Sequence, residues 1–196
     1  MPLRRALATA ILLSVASLAG AGEHEPWIAG PYSVSDELGG FTITSVSGTG
    51  VRDDPIVITQ EFTSSSPVTL VIRAVKPGMA SDDPHEFANG TLRVRLETLN
   101  NSGQGWTEFE FELQERKGQP SIFSDGLSFD QRRDDNKNIA SDSFASFSRN
   151  FEPYDRLRFT EGRIDPLKTG SFEFMITDFT PRSEFYLVQD PRIPLS

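Results

Sequence analysis

The chain has 196 residues, with 28 acidic side chains against 19 basic ones and a formal charge of −9 at pH 7. It has no cysteine, which excludes a thiol nucleophile, a disulfide framework and a lipid-modified N-terminal cysteine. Acidity of this order repels nucleic acid and anionic lipid and leaves a cation, a basic protein or a neutral polymer as the natural ligand.

In chain order, the first element is a targeting segment at residues 1–21. Arg4 and Arg5 supply positive charge, residues 7–18 a short apolar run, and Ala19, Gly20 and Ala21 small side chains. That order is the pattern of a secretory signal peptide, and the apolar run is short for a bilayer span. The expectation is cleavage after Ala21 and export across a bacterial inner membrane. Removal of Arg4 and Arg5 leaves 17 basic residues against 28 acidic, a charge of −11. The remaining ~175 residues suit one domain that buries roughly 70% of its unfolded surface.

Residues 22–39 read as a flexible leader, with Trp27 tucked onto the body. Residues 40–196 read as a single all-β domain. Fifteen Phe, 13 Pro and 15 Gly spread along the chain suit many short strands separated by turns. Period-2 alternation marks candidates at 40–46 (GFTITSV), 56–62 (IVITQEF), 68–75 (VTLVIRAV), 91–99 (TLRVRLETL) and 106–113 (WTEFEFEL). Three more follow at 156–160, 171–179 and 184–188. No helical stripe longer than two turns is visible. The expected architecture is an antiparallel β-sandwich, immunoglobulin-like or jelly-roll in style, with about seven to nine strands.

Residues 91–99 and 106–113 read as a hairpin closed by the polar loop between them. Antiparallel pairing would set Arg93 and Arg95 opposite two of Glu108, Glu110 and Glu112, each pair contributing roughly 0.2–1 kcal/mol. The ladder reads either as a register device on a wet face or as an acidic catalytic or cation-binding row. The segment 125–150 is polar and lacks alternation. Phe144, Phe147 and Phe151 stand at helical spacing there and suggest one or two helical turns. A loop of that length is either functional or mobile, and it is the first place to look for a binding role.

Asp134, Asn136 and Asn138 share the spacing that opens an EF-hand loop, where alternate oxygens converge on calcium. The match then fails, because Ile139 stands where the loop needs Gly and Ala145 where it needs Glu. An irregular calcium site, helped by Asp130 or Asp142, is the remaining form of that reading. A second acidic knot spans Asp82, Asp83, His85 and Glu86. His24 and His85 are the only histidines, and neither belongs to H-E-x-x-H or to a serine triad. No G-x-S-x-G turn and no phosphate-cradling Gly loop is present. Glu108 and Glu110 are neighbours on one strand, whereas a glycosidase needs carboxyls on two walls of a groove. Trp106 heads the aromatics that could stack on a sugar, with Trp27, Tyr32, Tyr154 and Tyr186 behind it; packing at the sandwich end is the competing role.

Three stretches carry a family resemblance. They are Gly48, Thr49 and Gly50 with residues 54–58; Asn101, Ser102 and Gly103 followed by Trp106 and Phe109; and Asp155, Leu157 and Phe159 with Gly162, Ile164 and Pro166. Together they resemble small exported bacterial β-sandwich domains of the kind found in exosortase-sorted surface proteins. The resemblance spans most of residues 40–179. It implies the fold and export, and no activity.

The tail 189–196 reads as free of a sorting signal or membrane anchor, so the expected product is free in the periplasm or outside the cell. The function expected is that of a non-enzymatic binding or structural protein of the cell exterior, a matrix, surface or adhesion component. A carbohydrate module using Trp106, Glu108 and Glu110, and a calcium-stabilised domain, are the alternatives. The expected partners are proteins or polysaccharides of the exterior, with no membrane insertion, and edge strands open to self-association.

Overall fold

The computed structural model describes residues 25–75, 88–122, 124–130, 136–180 and 182–194. The proposed signal segment, His24, the acidic knot at 82–86 and Asp134 lie outside those residues. Among the described residues thirteen strands form, in chain order. The first seven are β1 (Trp27–Ala29), β2 (Tyr32–Ser35), β3 (Phe41–Ser47), β4 (Ile56–Phe62), β5 (Val68–Ala74), β6 (Thr91–Asn100) and β7 (Glu108–Gln114). The remainder are β8 (Leu127–Phe129), β9 (Ala140–Ser141), β10 (Phe144–Asn150), β11 (Arg156–Gly162), β12 (Thr169–Asp178) and β13 (Glu184–Arg192). The described helix is one 3-10 turn, Asn136–Asn138. No described helix is long and apolar enough to cross a membrane.

The strands build two facing sheets, so the protein is an all-β sandwich. One sheet has seven strands in the order β1-β2-β5-β13-β7-β11-β10. The other has six, ordered β3-β4-β6-β12-β8 with β9 also on β12. Neighbours are antiparallel except β4 and β6, which run parallel. The alternation read from the sequence sets which side of each strand faces in. β4 buries Ile56, Ile58, Gln60 and Phe62; β6 buries Leu92, Val94, Leu96, Thr98 and Asn100. Aromatic rings fill the space between the sheets. Phe109 and Phe111 of β7 meet Phe172 of β12 at centroid distances of 4.6 and 5.2 Å, and Phe111 meets Phe174 at 4.9 Å. Each such ring, fully withdrawn from water, contributes about 1.5–3 kcal/mol.

Four readings of the sequence change. The described residues hold more strands than expected because β1, β2, β8 and β9 have only two to four residues each, too few to show alternation. The leader is not free of structure. β1 and β2 continue the seven-stranded sheet through β5, and Tyr32 and Val34 are buried. Phe144 and Phe147 sit on a strand, β10, and both pack on Phe159 of β11. Between them the ladder skips one position, from Phe144↔Gly162 to Ser146↔Thr160, and Glu161 there has a φ of 57°.

The fourth change is the largest: β6 and β7 do not form a hairpin. β6 lies in the six-stranded sheet between β4 and β12, and β7 lies in the other sheet between β11 and β13. The connection is an arch over the end of the sandwich. Asn100 holds it, donating to the carbonyls of Gln104 and Ile164 at 2.7 and 2.9 Å while its own oxygen accepts from Ser102. Alternation fits a hairpin and an arch equally, since both send the same faces inward.

Candidate functional site

The candidate carboxylates Glu108 and Glu110 lie on the outer face of the seven-stranded sheet. β7 turns Phe109, Phe111 and Leu113 inward, so Glu108, Glu110 and Glu112 point out. Their partners are not Arg93 and Arg95. β11 sets Arg156 opposite Glu112 and Arg158 opposite Glu110; β13 sets Asp190 opposite Glu110 and Arg192 opposite Glu108. Two of the arginines reach diagonally. Arg158 bonds Glu108 through Nε at 3.1 Å and through a second, closer guanidinium contact. Arg192 donates to Glu110 at 3.0 Å and lies 3.1 Å from Asp190. Arg156 bonds Glu112 at 2.6 Å and stands 3.9 Å from Glu110. Diagonal neighbours on a sheet lie within reach of side chains this long.

Glu110 and Glu112 are only 13% exposed, because the guanidinium groups lie over them. Asp190 is pushed above the usual carboxylate range, first by burial, with Glu110 and Glu112 adding to the shift and Arg192 and Arg156 opposing it. The Arg158 guanidinium is raised by its hydrogen bond to Glu108.

The same face carries a second ion-pair group. Arg73 of β5 forks onto Glu37 at 2.6 and 2.8 Å and reaches Glu184 of β13 through Nε at 2.6 Å. That fork holds the Glu37 carboxyl down at about 2. The Tyr186 hydroxyl donates to Glu184, which raises its pKa. Val71 pairs with Ser35 and Tyr186, belongs to the outward row, and is nonetheless fully buried.

Trp106 is not a platform. It is fully buried between Phe62 and Phe109 at 5.7 Å from each, and its indole N–H donates to Ser102 and Ser65 at 3.1 and 3.3 Å. No ring face is left for a sugar. Tyr32 is buried as well, whereas Trp27 and Tyr154 are partly exposed. Tyr154 carries the Arg156 guanidinium over its ring, 5.5 Å from the centroid.

Of the calcium candidates, Asn138 is buried in a polar knot. Its amide donates to Asp130 at 2.8 Å, and its carbonyl oxygen accepts from Arg93 at 2.9 Å. The oxygen that would meet a cation therefore already holds a guanidinium. Asn136 begins the 3-10 turn. Asp142 accepts from the Ser171 N–H at 2.8 Å and the Ser143 hydroxyl at 2.7 Å. Among the described residues no group of three or more His, Asp or Glu side chains could hold a metal ion.

The sequence reading missed Arg156, Arg158, Asp190 and Arg192 as the partners of the β7 carboxylates. The alternation Arg-Leu-Arg-Phe at 156–159 was a usable signal, since it sends two cations out from one strand. No protein-family model and no curated protein matches the chain, so fold and chemistry carry the functional reading.

Proposed function

We propose that the protein is an exported, non-enzymatic binding or structural component of the bacterial cell exterior. The observation that carries this reading is the engagement of Glu108, Glu110 and Glu112 by arginines of β11 and β13. A carboxylate that exchanges protons with a substrate stands in a groove between two walls; these share the outer face of one sheet, each with one oxygen held by a guanidinium group. Export is supported by the order of charge, apolar run and small residues at 1–21, and the cysteine-free, phenylalanine-rich core suits a fold that needs no redox partner. A rigid sandwich with a charged face is suited to a protein or polysaccharide partner outside the cell.

The test is turnover by the purified chain across a panel of glycosides and esters. No hydrolysis is expected. Turnover lost on Glu108→Gln or Glu110→Gln overturns the reading.

A second reading, calcium stabilisation near Asp134, Asn136 and Asn138, draws on one observation. Asp130 is buried beside Asn138, and its Oδ1 has no hydrogen-bond partner. A native-state ligand raises the melting temperature, so an identical melt in chelator and in millimolar calcium removes it.

A further inference from the structure

The start of β11 is fastened into a polar seam where the open margins of the two sheets meet. Asp155, just before β11, is fully buried. Its N–H donates to the Ser121 carbonyl at 3.0 Å, and its carbonyl accepts from Leu113 of β7 at 3.2 Å. Its Oδ1 accepts from the Ser128 hydroxyl at 2.8 Å. Ser128 lies in β8, at the edge of the six-stranded sheet, so this one side chain joins the two layers. Its other oxygen, Oδ2, has no hydrogen-bond partner. A second clasp stands beside it. Arg149 of β10 donates to the carbonyls of Phe129 and Asp130, at 3.2 and 2.9 Å. The β10–β11 hairpin is thus held to β8 by one arginine and one carboxyl.

We propose that Asp155 is a proton-operated latch on this seam: the neutral carboxyl seats the start of β11 against β8, and the carboxylate loosens it and frees the β10–β11 hairpin. The geometry sets the preference. A buried carboxylate with one donor on one oxygen and none on the other lacks the hydrogen bonds that would replace its water. Among the described residues, the charged groups that act on it are Asp125 and Arg149. Asp125, in the turn before β8, opposes ionisation and is itself fixed by Ser121, Ile122 and Leu127. Arg149, from β10, favours ionisation. β8 contributes the Ser128 hydroxyl, which also favours it, and β7 contributes main chain. Burial is the largest influence, and the group is pushed up to about 7.

The sign follows from linkage. The folded pKa lies above the unfolded value of about 3.9, so the fold favours the neutral form. The stability this supplies is complete below about pH 4 and is lost as pH rises through about 7. From this group alone the unfolding constant increases on the order of 100-fold between pH 5 and pH 8.

The experiment follows the full chain from pH 5 to pH 8 by urea unfolding and by amide hydrogen exchange. The wild-type unfolding constant is expected to rise by about two orders of magnitude, with extra exchange confined to residues 144–155. Asp155→Asn is expected to reduce the pH slope, leaving the part that the raised Asp178 and Asp190 carboxyls supply, and to be more stable than the wild type at pH 8. An unchanged pH slope in Asp155→Asn overturns the latch. The wild-type chain alone also tests it: a carboxyl carbon titration of Asp155 with a midpoint near pH 4, or exchange at 144–155 that follows only the intrinsic rate, overturns it too. So does a calcium-induced rise in melting temperature that Asp155→Asn abolishes, since Oδ2 would then belong to a cation.

Discussion

Gln60 of β4 and Gln189 of β13 exchange reciprocal amide hydrogen bonds across the core, at 2.7 and 3.1 Å. Gln60 also donates to Thr98 of β6 at 2.8 Å. All three residues are buried at a level where the other inward positions are apolar. The pair joins the six-stranded sheet to the seven-stranded one and permits one stacking register, because a slip would strand two amides in an apolar layer. Gln189→Leu leaves the Gln60 carboxamide short of a partner and should cost about 1–3 kcal/mol. Gln60→Leu should cost about the same. The double variant replaces both polar groups together and should be more stable than the sum of the singles implies, by about 1 kcal/mol or more. Urea unfolding of the four proteins in the cycle measures this, and additivity would show that the amides do not act as a pair.

Trp106 anchors the arch between β6 and β7, so its removal is a stability change and not a binding change. Trp106→Ala should cost about 3–5 kcal/mol through the cavity it leaves, with the Ser102 and Ser65 hydroxyls losing a shared donor. Emission isolates this residue in a Trp27→Phe background. It should be blue-shifted, resist acrylamide, and stay unmoved by added polysaccharide. A quench or shift with a polysaccharide would return Trp106 to the ligand.

The difference between what alternation revealed and what it hid is physical. β4, β6, β7 and β12 were legible because each has at least seven residues and one apolar face, so period 2 repeats often enough to be read. Glu108 and Glu110 were legible as pointing away from the core for the same reason. Their partners were not legible, because alternation states which way a side chain points and not which strand lies beside it. The loop at 100–106 gives no sign that it changes sheets: the Asn100 bonds that hold the arch reach Ile164, 64 residues away. Asp155 and Ser128 were hidden by the same separation. A single Asp before a strand reads as a turn residue until the partner sheet closes over it.

Arg192 serves two carboxylates that face each other across a strand pair, Asp190 and Glu110. Arg192→Ala should leave this like-charged pair without its shared cation. Its side chain is 41% exposed, so solvent screening limits the cost to about 1 kcal/mol at pH 8. Asp190, already raised by burial, should rise further. Stability supplied by a raised carboxyl is lost as pH climbs through the folded pKa. The penalty should therefore shrink as pH falls toward the acid range, where the neutral form removes the repulsion. Paired melts of the two proteins across that range decide it, and a penalty independent of pH would place the effect in packing and not in charge.

Gly162 separates crowding from backbone conformation. It has no positive φ, yet a Cβ on it would stand 2.0 Å from the Ser143 carbonyl oxygen and 2.7 Å from the Phe144 Cα. Both atoms are main chain, which yields only by displacing the start of β10. Gly118 is the converse. It has a φ of 78° and open space around it, so a methyl group there meets only the left-handed strain of about 1–2 kcal/mol. Gly162→Ala should cost more than Gly118→Ala, toward the upper end of the 1–3 kcal/mol typical (~) of overpacking or beyond. Its damage should also be local: amide exchange should quicken in β10 and β11 and leave β4 and β6 unchanged. Equal losses in the two variants, or a loss spread evenly over both sheets, would mean that the close passage of the chain at Ser143 does not hold the hairpin in place.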